Sequence, residues 1–271
     1  MITSLRNDKV KYVRALQSRR RTRQRERRFV FEGLRLVEEA VRADVLPDYV
    51  FYTQPVETDE RGGKLLKALL GVGVLCYAVS EPVLEACADT ETPQGILAVL
   101  PMPALALPQR PTLTLTLDRV RDPGNLGTIL RTALAAGVDQ VLLTPGTVDA
   151  SNPKVVRAAM GAHLHIPVAE LEWKAIAEAV RGSEIWLAAA DGDAPYTTVN
   201  WVGPATLIVG SEAAGAGKQA RALARGRVSI PMAPGIESLN VAVATAVLLF
   251  EVVRQRRATE EPSNRGQPRF P

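Results

Sequence analysis

Cysteine is almost missing from this sequence. Cys76 and Cys87 are the only two in 271 residues, which excludes a disulfide framework and a four-thiolate zinc site. A reduced, cytosolic protein is the simplest expectation. Histidine is equally scarce. His163 and His165 form an H-x-H pair on a stretch that reads as a strand, with no third ligand in view. Metal binding is therefore not expected. No run approaches the roughly 18 uninterrupted apolar residues of a membrane span. The opening stretch, Met1 to Leu16, lacks the apolar core of a signal peptide. Membrane and secreted classes are set aside, and no repeat of solenoid period is found.

What is present is charge, unevenly distributed. The chain carries 33 Lys and Arg against 29 Asp and Glu, for a net +4. Residues 1–28 hold 11 of the basic residues and only 2 acidic ones. Residues 29–253 hold 17 basic against 25 acidic, and the last eighteen hold 5 against 2. A mildly acidic body with basic ends points to a polyanionic partner. Hydrophobic residues make up 46%, too many for a disordered chain.

Four prolines between Pro101 and Pro111 remove amide donors and fix φ, so this stretch reads as a stiff linker. It separates an expected first domain (1–100) from a second (112–257). A tail (258–271) without apolar period is expected to be disordered. In the first domain Val10, Val13 and Leu16 share a helical face. The strand-like segments are 29–31, 49–52, 74–79 and 95–100. Helical segments lie between them, one with Leu34, Val37 and Val41 on a face. In the second, strands are expected at 112–117, 140–143, 165–168, 185–190, 206–209 and 228–230. Helices are expected at 125–136, 153–162 and 239–256, the middle one capped by Ser151 or Asn152. Alternation of this kind predicts an α/β fold with a mainly parallel sheet. Ligands then gather at the carboxyl ends of strands.

Three strand-to-helix junctions have the composition for chemistry. After residue 117, Pro123-Gly124 makes a turn. Asn125 can cap the helix, Gly127 permits close approach, and Arg131 lies further along. A capped helix with a surface arginine is the plain alternative. After residue 209 comes Gly210-Ser211-Glu212, with Gly215 and Gly217 following. The comparison with a phosphate-binding loop fails, because Glu212 stands at its first glycine and Gln219 follows Lys218. After residue 230, a proline-rich loop leads to Ser238, Leu239 and Asn240. Small residues at Ala242, Ala244, Thr245 and Ala246 suit close packing.

Together the segments Asn125-x-Gly127-x-x-x-Arg131, Val209-Gly-Ser-Glu212-x-x-Gly215 and Ile230-Pro-Met with Glu237-Ser238-Leu-Asn240-Val resemble the three motifs of the SpoU/TrmH family. They do so in order, over roughly residues 112–256. Asn7, Val10-Lys11 and Phe31-Glu32-Gly33 resemble the substrate-binding domain attached to many such enzymes. The resemblance implies an α/β SPOUT domain with a deep trefoil knot, and a small N-terminal α/β domain similar to L30e-like ribosomal proteins. It implies a ribose 2′-O-methyltransferase that acts on RNA with S-adenosylmethionine, and a homodimer formed through the knotted domain. Asn125, Arg131, Glu212, Ser238 and Asn240 match the family's catalytic positions. Gly210, Ile230 and Leu239 match its cofactor contacts, with the backbone of Leu187, Ala188, Ala189 and Ala190 beside them. A guanidinium stays protonated, so Arg131 suits a phosphate clamp better than a base.

Ribosomal RNA, specifically 23S, is the expected substrate, because the N-terminal module is similar to those on ribosomal RNA members. Transfer RNA is the alternative, as is a non-catalytic RNA- or ribosome-binding factor. An ordinary dinucleotide-binding enzyme is ranked last, since no G-x-G-x-x-G follows the first strand. The basic run Arg19, Arg20, Arg21, Arg23, Arg25, Arg27 and Arg28 is the candidate RNA surface, against the plain reading of a solvated helix. Trp173, Trp186 and Trp201 read as core or interface residues, and Asp191-Gly192-Asp193 as a turn.

Overall fold

The computed structural model describes residues 1–211 and 215–260. They fall into two compact units. One is Met1–Ala104 with Asp149–His165; the other is Leu105–Val148 with Ile166 onward.

The first unit opens with α1 (Asp8–Ser18), capped by the Asn7 side chain and burying Val10, Val13 and Leu16. The arginine run forms α2 (Arg20–Glu26). There follow β1 (Arg28–Glu32), α3 (Leu34–Arg42), β2 (Tyr49–Tyr52), α4 (Gln54–Thr58), α5 (Glu60–Gly71), β3 (Leu75–Ala78), α6 (Glu81–Cys87) and β4 (Ile96–Pro101). The sheet order is β1-β4-β2-β3. β4 runs antiparallel to β1 and β2, and β3 runs parallel to β2. Successive strand residues point to opposite faces, and both faces are covered. Phe29, Phe31, Val50, Ile96, Ala98 and Leu100 pack with α3 and α5. Val30, Tyr49, Phe51, Leu97 and Val99 pack with α1 and α6. In α3 the buried residues are Leu36, Val37 and Ala40, while Leu34 and Val41 sit at the rim of the core.

The second unit holds β5 (Leu113–Asp118), α7 (Pro123–Ala135) and β6 (Gln140–Leu143). Next in the chain comes α8 (Pro153–Ala159), which belongs to the first unit. The expected second domain, 112–257, is thus interrupted by residues 149–165. Val156 and Leu164 join the core around Phe29 and Phe31. Asn152, not Ser151, caps α8 through the Lys154 amide. The expected strand at 165–168 is displaced. Ala162–Leu164 is a 3-10 turn, so the H-x-H pair does not lie on a strand.

The second unit resumes with β7 (Val168–Glu170), α9 (Trp173–Ala179), β8 (Glu184–Ala188), β9 (Ala194–Pro195), β10 (Ala205–Gly210), α10 (Lys218–Leu223), β11 (Gly226–Ser229) and α11 (Val241–Glu260). The order β7-β6-β5-β10-β8-β11-β9 gives seven strands, and every pairing is parallel. The central strands β5, β6 and β10 are buried along their whole length. This explains why they read as unbroken apolar or Thr-Leu runs. α11 continues past residue 258 to Glu260; the rest of the expected disordered tail, 261–271, lies outside the described residues.

Candidate active site

The carboxyl ends of β5, β8, β10 and β11 lead into the loops singled out above. At the first, Asp122 caps α7 by accepting from the Asn125 amide at 2.7 Å. Asn125 is therefore not the cap. At the third, Asn240 Oδ1 accepts from the Ala242 amide at 2.9 Å and the Val243 amide at 3.3 Å. Asn240, not Ser238, performs the capping at the start of α11. Its other amide atom, Nδ2, donates to Asn125 Oδ1 at 3.0 Å. Two asparagines 115 positions apart in sequence thus meet. Arg131 is exposed on α7. Glu212 lies outside the described residues.

Beside this pair is a cavity of about 210 Å³. Ala188, Ala189, Gly210, Ile230, Ser238 and Leu239, all named from sequence, line it. Leu187 does not. It is fully buried in a cluster with Ile208, Ala216 and Ala220, because alternation on β8 turns it into the core. Ala190, at the end of the Leu187–Ala190 stretch expected to line the pocket, lines it as well, whereas sequence reasoning missed Val209, Ser211, Gly215, Val228 and Met232 in the lining, and Val241, Ala244 and Leu248 on α11. The last three are spaced at i, i+3 and i+7, one helical face.

Local geometry fixes the cavity walls. A Cβ on Gly210 would stand 2.3 Å from Ala216 N, so only glycine lets the chain double back there. Ser211 and Gly215 exchange backbone hydrogen bonds at 3.2 and 3.0 Å, closing the loop. The loop after β8 is stapled by Arg227, whose guanidinium bridges Asp191 and Asp193. That guanidinium holds the Asp193 carboxyl below its ordinary range. A Cβ on Gly192 would reach within 2.5 Å of the Val228 carbonyl carbon.

The candidate RNA surface divides. Arg19 and Arg21 are exposed. Arg25 pairs with Glu26, and Arg28 with Asp48. Arg27, in the left-handed region at φ 53°, ends α2. Arg20 also keeps a contact within the fold. Arg23 is a correction. It is 4% exposed and donates to Asp149 at 2.7 Å and to the Leu16 carbonyl at 2.7 Å. Its guanidinium joins α1, α2 and residues 149–151, so it cannot reach RNA. His163 Nε2 donates to the Ala150 carbonyl at 2.7 Å, and burial lowers its pKa. His165 faces Glu39. No cluster suited to a metal occurs among the described residues.

Comparison with known proteins agrees with this geometry. The SpoU rRNA Methylase family matches residues 112–250, and the MRM3-like substrate binding domain matches residues 7–98. The chain belongs to the SpoU rRNA methylase family. Among its relatives is the 23S rRNA (guanosine(2553)-2′-O)-methyltransferase RlmP of Bacillus subtilis. It is 37% identical over 93% of this chain and 98% of its own length. The crystal structure of an AdoMet-bound rRNA methyltransferase from Sinorhizobium meliloti superposes with a TM-score of 0.81. It has 32% identity over 93% of this chain and 97% of that one. The SpoU methyltransferase AviRb of Streptomyces viridochromogenes, in complex with AdoMet, gives 0.84 at 29% identity over 93% and 99%.

Proposed function

We propose that the protein methylates a ribose 2′-hydroxyl of 23S ribosomal RNA with S-adenosylmethionine as donor. The observation that carries this reading is the Asn125–Asn240 hydrogen bond beside the cavity. Asn240 stands between Leu239 and Val241, both of which line it. The cavity suits the cofactor. Its walls are mostly Ala, Val, Leu and Gly, with strand-end backbone at Ala188–Ala190 and Gly210. Such walls accept a flat purine and offer peptide groups to its edge. Gly210 permits the close return of the chain that shapes one wall.

When bound, S-adenosylmethionine supplies an electrophilic methyl group. The chain's residues hold and orient the other reactant. The Asn125 and Asn240 amides, locked to one another, present fixed polar groups to the ribose. Arg131, always cationic, holds an RNA phosphate and stabilises charge that develops on the attacking oxygen. Glu212, on the loop after β10, helps orient Arg131 and the ribose. Ser238 steadies the loop that carries Asn240. The exposed arginines of α2 add sequence-independent attraction for the RNA backbone.

The reading extends to the fold and assembly. The chain leaves β11, beyond β8, yet α11 packs on α7, which follows β5. This return past β10 supports a trefoil knot threaded by the C-terminal segment of the second unit. The first unit, a mixed sheet covered on both faces, is read as an L30e-like RNA-binding domain. Val243 and Phe250, half exposed on α11, support a homodimer through the second unit. No helix among the described residues is long and apolar enough to cross a membrane, and a cytoplasmic location goes with the proposed substrate.

Mapping of 2′-O-methylated nucleotides in total RNA, with and without the gene, tests the substrate. One 23S position should lose its methyl group. A missing transfer RNA position would overturn the ribosomal assignment, and failure to bind S-adenosylmethionine in calorimetry would favour a non-catalytic factor. Arg131→Ala should abolish turnover and leave cofactor affinity and Tm near wild type. Retained turnover would remove Arg131 from the reaction.

A further inference from the structure

Asp118 ends β5 with 1% exposure, and every acceptor direction of its carboxylate is engaged. Oδ1 accepts from the Thr144 hydroxyl at 3.1 Å and from Arg119 Nε at 3.1 Å. Oδ2 accepts from the Gly217 amide at 2.6 Å and from Arg119 Nη2 at 3.4 Å. Gly217 ends the glycine-rich segment that begins at Gly210 and includes Ser211 and Gly215, both in the cavity wall. Gly215 and Gly217, two glycines in three positions, would leave the end of that segment wide backbone freedom. The Gly217–Asp118 bond pins its far end to the sheet, as the Ser211–Gly215 bridge closes its middle.

Arg119 is built unusually to complete this contact. Its φ of 59° is one of four left-handed values at non-glycine residues among the described residues. Such a conformation persists only where its surroundings enforce it, and it gathers at functional sites. Here the Arg119 amide donates to the Thr144 and Thr147 hydroxyls, both at 3.1 Å. The side chain then turns back over Gly217, so that a Cβ there would lie 2.8 Å from Nη2. The guanidinium also supplies the countercharge that a carboxylate this deeply buried requires.

We propose that Asp118 and Arg119 are positioning residues, a carboxylate–guanidinium latch that holds the Gly215–Gly217 stretch, and with it one wall of the cavity, in its cofactor-binding shape. They act through Gly217 and touch neither reactant. The inference rests on the cavity being the S-adenosylmethionine site. Asp118→Asn keeps the size of the side chain but removes the charge and half of the acceptors. Arg119→Gly removes the guanidinium and places at φ 59° a residue that adopts it freely.

Hydrogen exchange of the Gly215, Ala216 and Gly217 amides in cofactor-free protein tests the latch directly, with S-adenosylmethionine calorimetry beside it. Both variants should exchange that segment at least about tenfold faster and bind the cofactor about tenfold more weakly, the scale of one lost charged hydrogen bond. Arg119→Gly should do so with a lower Tm as well, because Asp118, 1% exposed, loses its countercharge while the left-handed backbone is relieved. A merely structural contact would lower Tm and leave exchange at Gly215–Gly217 and cofactor affinity as in wild type. Unchanged exchange in Arg119→Gly overturns the latch, even if Asp118→Asn fails to fold. A wild-type protein that binds no S-adenosylmethionine overturns the cofactor reading, while exchange still decides the latch.

Discussion

Asn240 uses the two halves of its amide for different neighbours. The oxygen caps α11 and the nitrogen reaches Asn125. The two roles separate by substitution. Asn240→Ala removes the cap and should cost about 1 kcal/mol of stability. Asn240→Asp keeps the capping oxygen but sets a second acceptor against Asn125 Oδ1. Its Tm should stay near wild type while methyl transfer falls by at least about a hundredfold, the scale of one lost transition-state donor. Equal activity in the aspartate variant would show that the Asn125 contact is incidental. His163 gives a pH prediction at the same scale. Burial lowers its folded pKa below the unfolded value of about 6.5. The unfolded chain therefore takes up the proton first, and stability falls as pH drops through that value. The contribution is complete well above the unfolded value and is lost progressively as pH falls below it, at no more than about 1.4 kcal/mol per pH unit. His163→Gln can still donate to the Ala150 carbonyl but cannot titrate. Thermal melts of this variant between pH 7.5 and 5.5 should show a flatter slope than wild type.

Within elements, one short helix carries two kinds of arginine. Arg23 of α2 is locked against Asp149, Ser151 and two carbonyls of α1. Arg21 of the same helix, and Arg19 before it, face solvent. Arg23→Ala leaves Asp149 half-buried without its partner and should cost about 3–5 kcal/mol. The double variant Arg19→Ala, Arg21→Ala should leave Tm unchanged. It should weaken RNA binding and reduce the slope of log affinity against log salt by about 1–2. An unchanged slope would move RNA capture elsewhere. The division was not visible in the sequence, where all seven arginines look alike; burial depends on a partner 126 positions away. Strands were easier to read. β2, β4, β5, β6 and β10 are apolar or Thr-Leu runs whose burial on both faces leaves little choice of residue. Helix starts slipped where capping is ambiguous. Asp122 precedes Asn125, and Asn240 follows Ser238, and any of these can cap. The site was legible through Asn125, Gly210 and Asn240, since a loop composition is local. Leu187 was misplaced because the alternation of β8, not its neighbourhood in sequence, decides which way it points. The Asp118–Arg119 contact stayed hidden, because its partner amide at Gly217 carries no side chain to betray it.

At the scale of the whole molecule, α11 has two apolar faces. Val241, Ala244 and Leu248 line the cavity. Val243 and Phe250, seven residues apart and so on one side, are 50% and 49% exposed. A helix that is apolar on both sides expects a second covering. Leu134 on α7 and Ile236 in the loop before α11, also exposed, add apolar surface to the same unit. A two-fold contact would use the same stripe on each copy, as an isologous interface must. It would also place the outer face of a cavity-lining helix under control of the partner. Phe250→Glu puts a charge in that stripe without touching the cavity face. Sedimentation of the wild type should show a dimer, and the variant a monomer that keeps its helical signal. Because α11 also forms a cavity wall, the monomer should bind S-adenosylmethionine more weakly. A variant that stays dimeric would place the interface on another surface, and a monomer with full cofactor affinity would show that the two faces of α11 act independently.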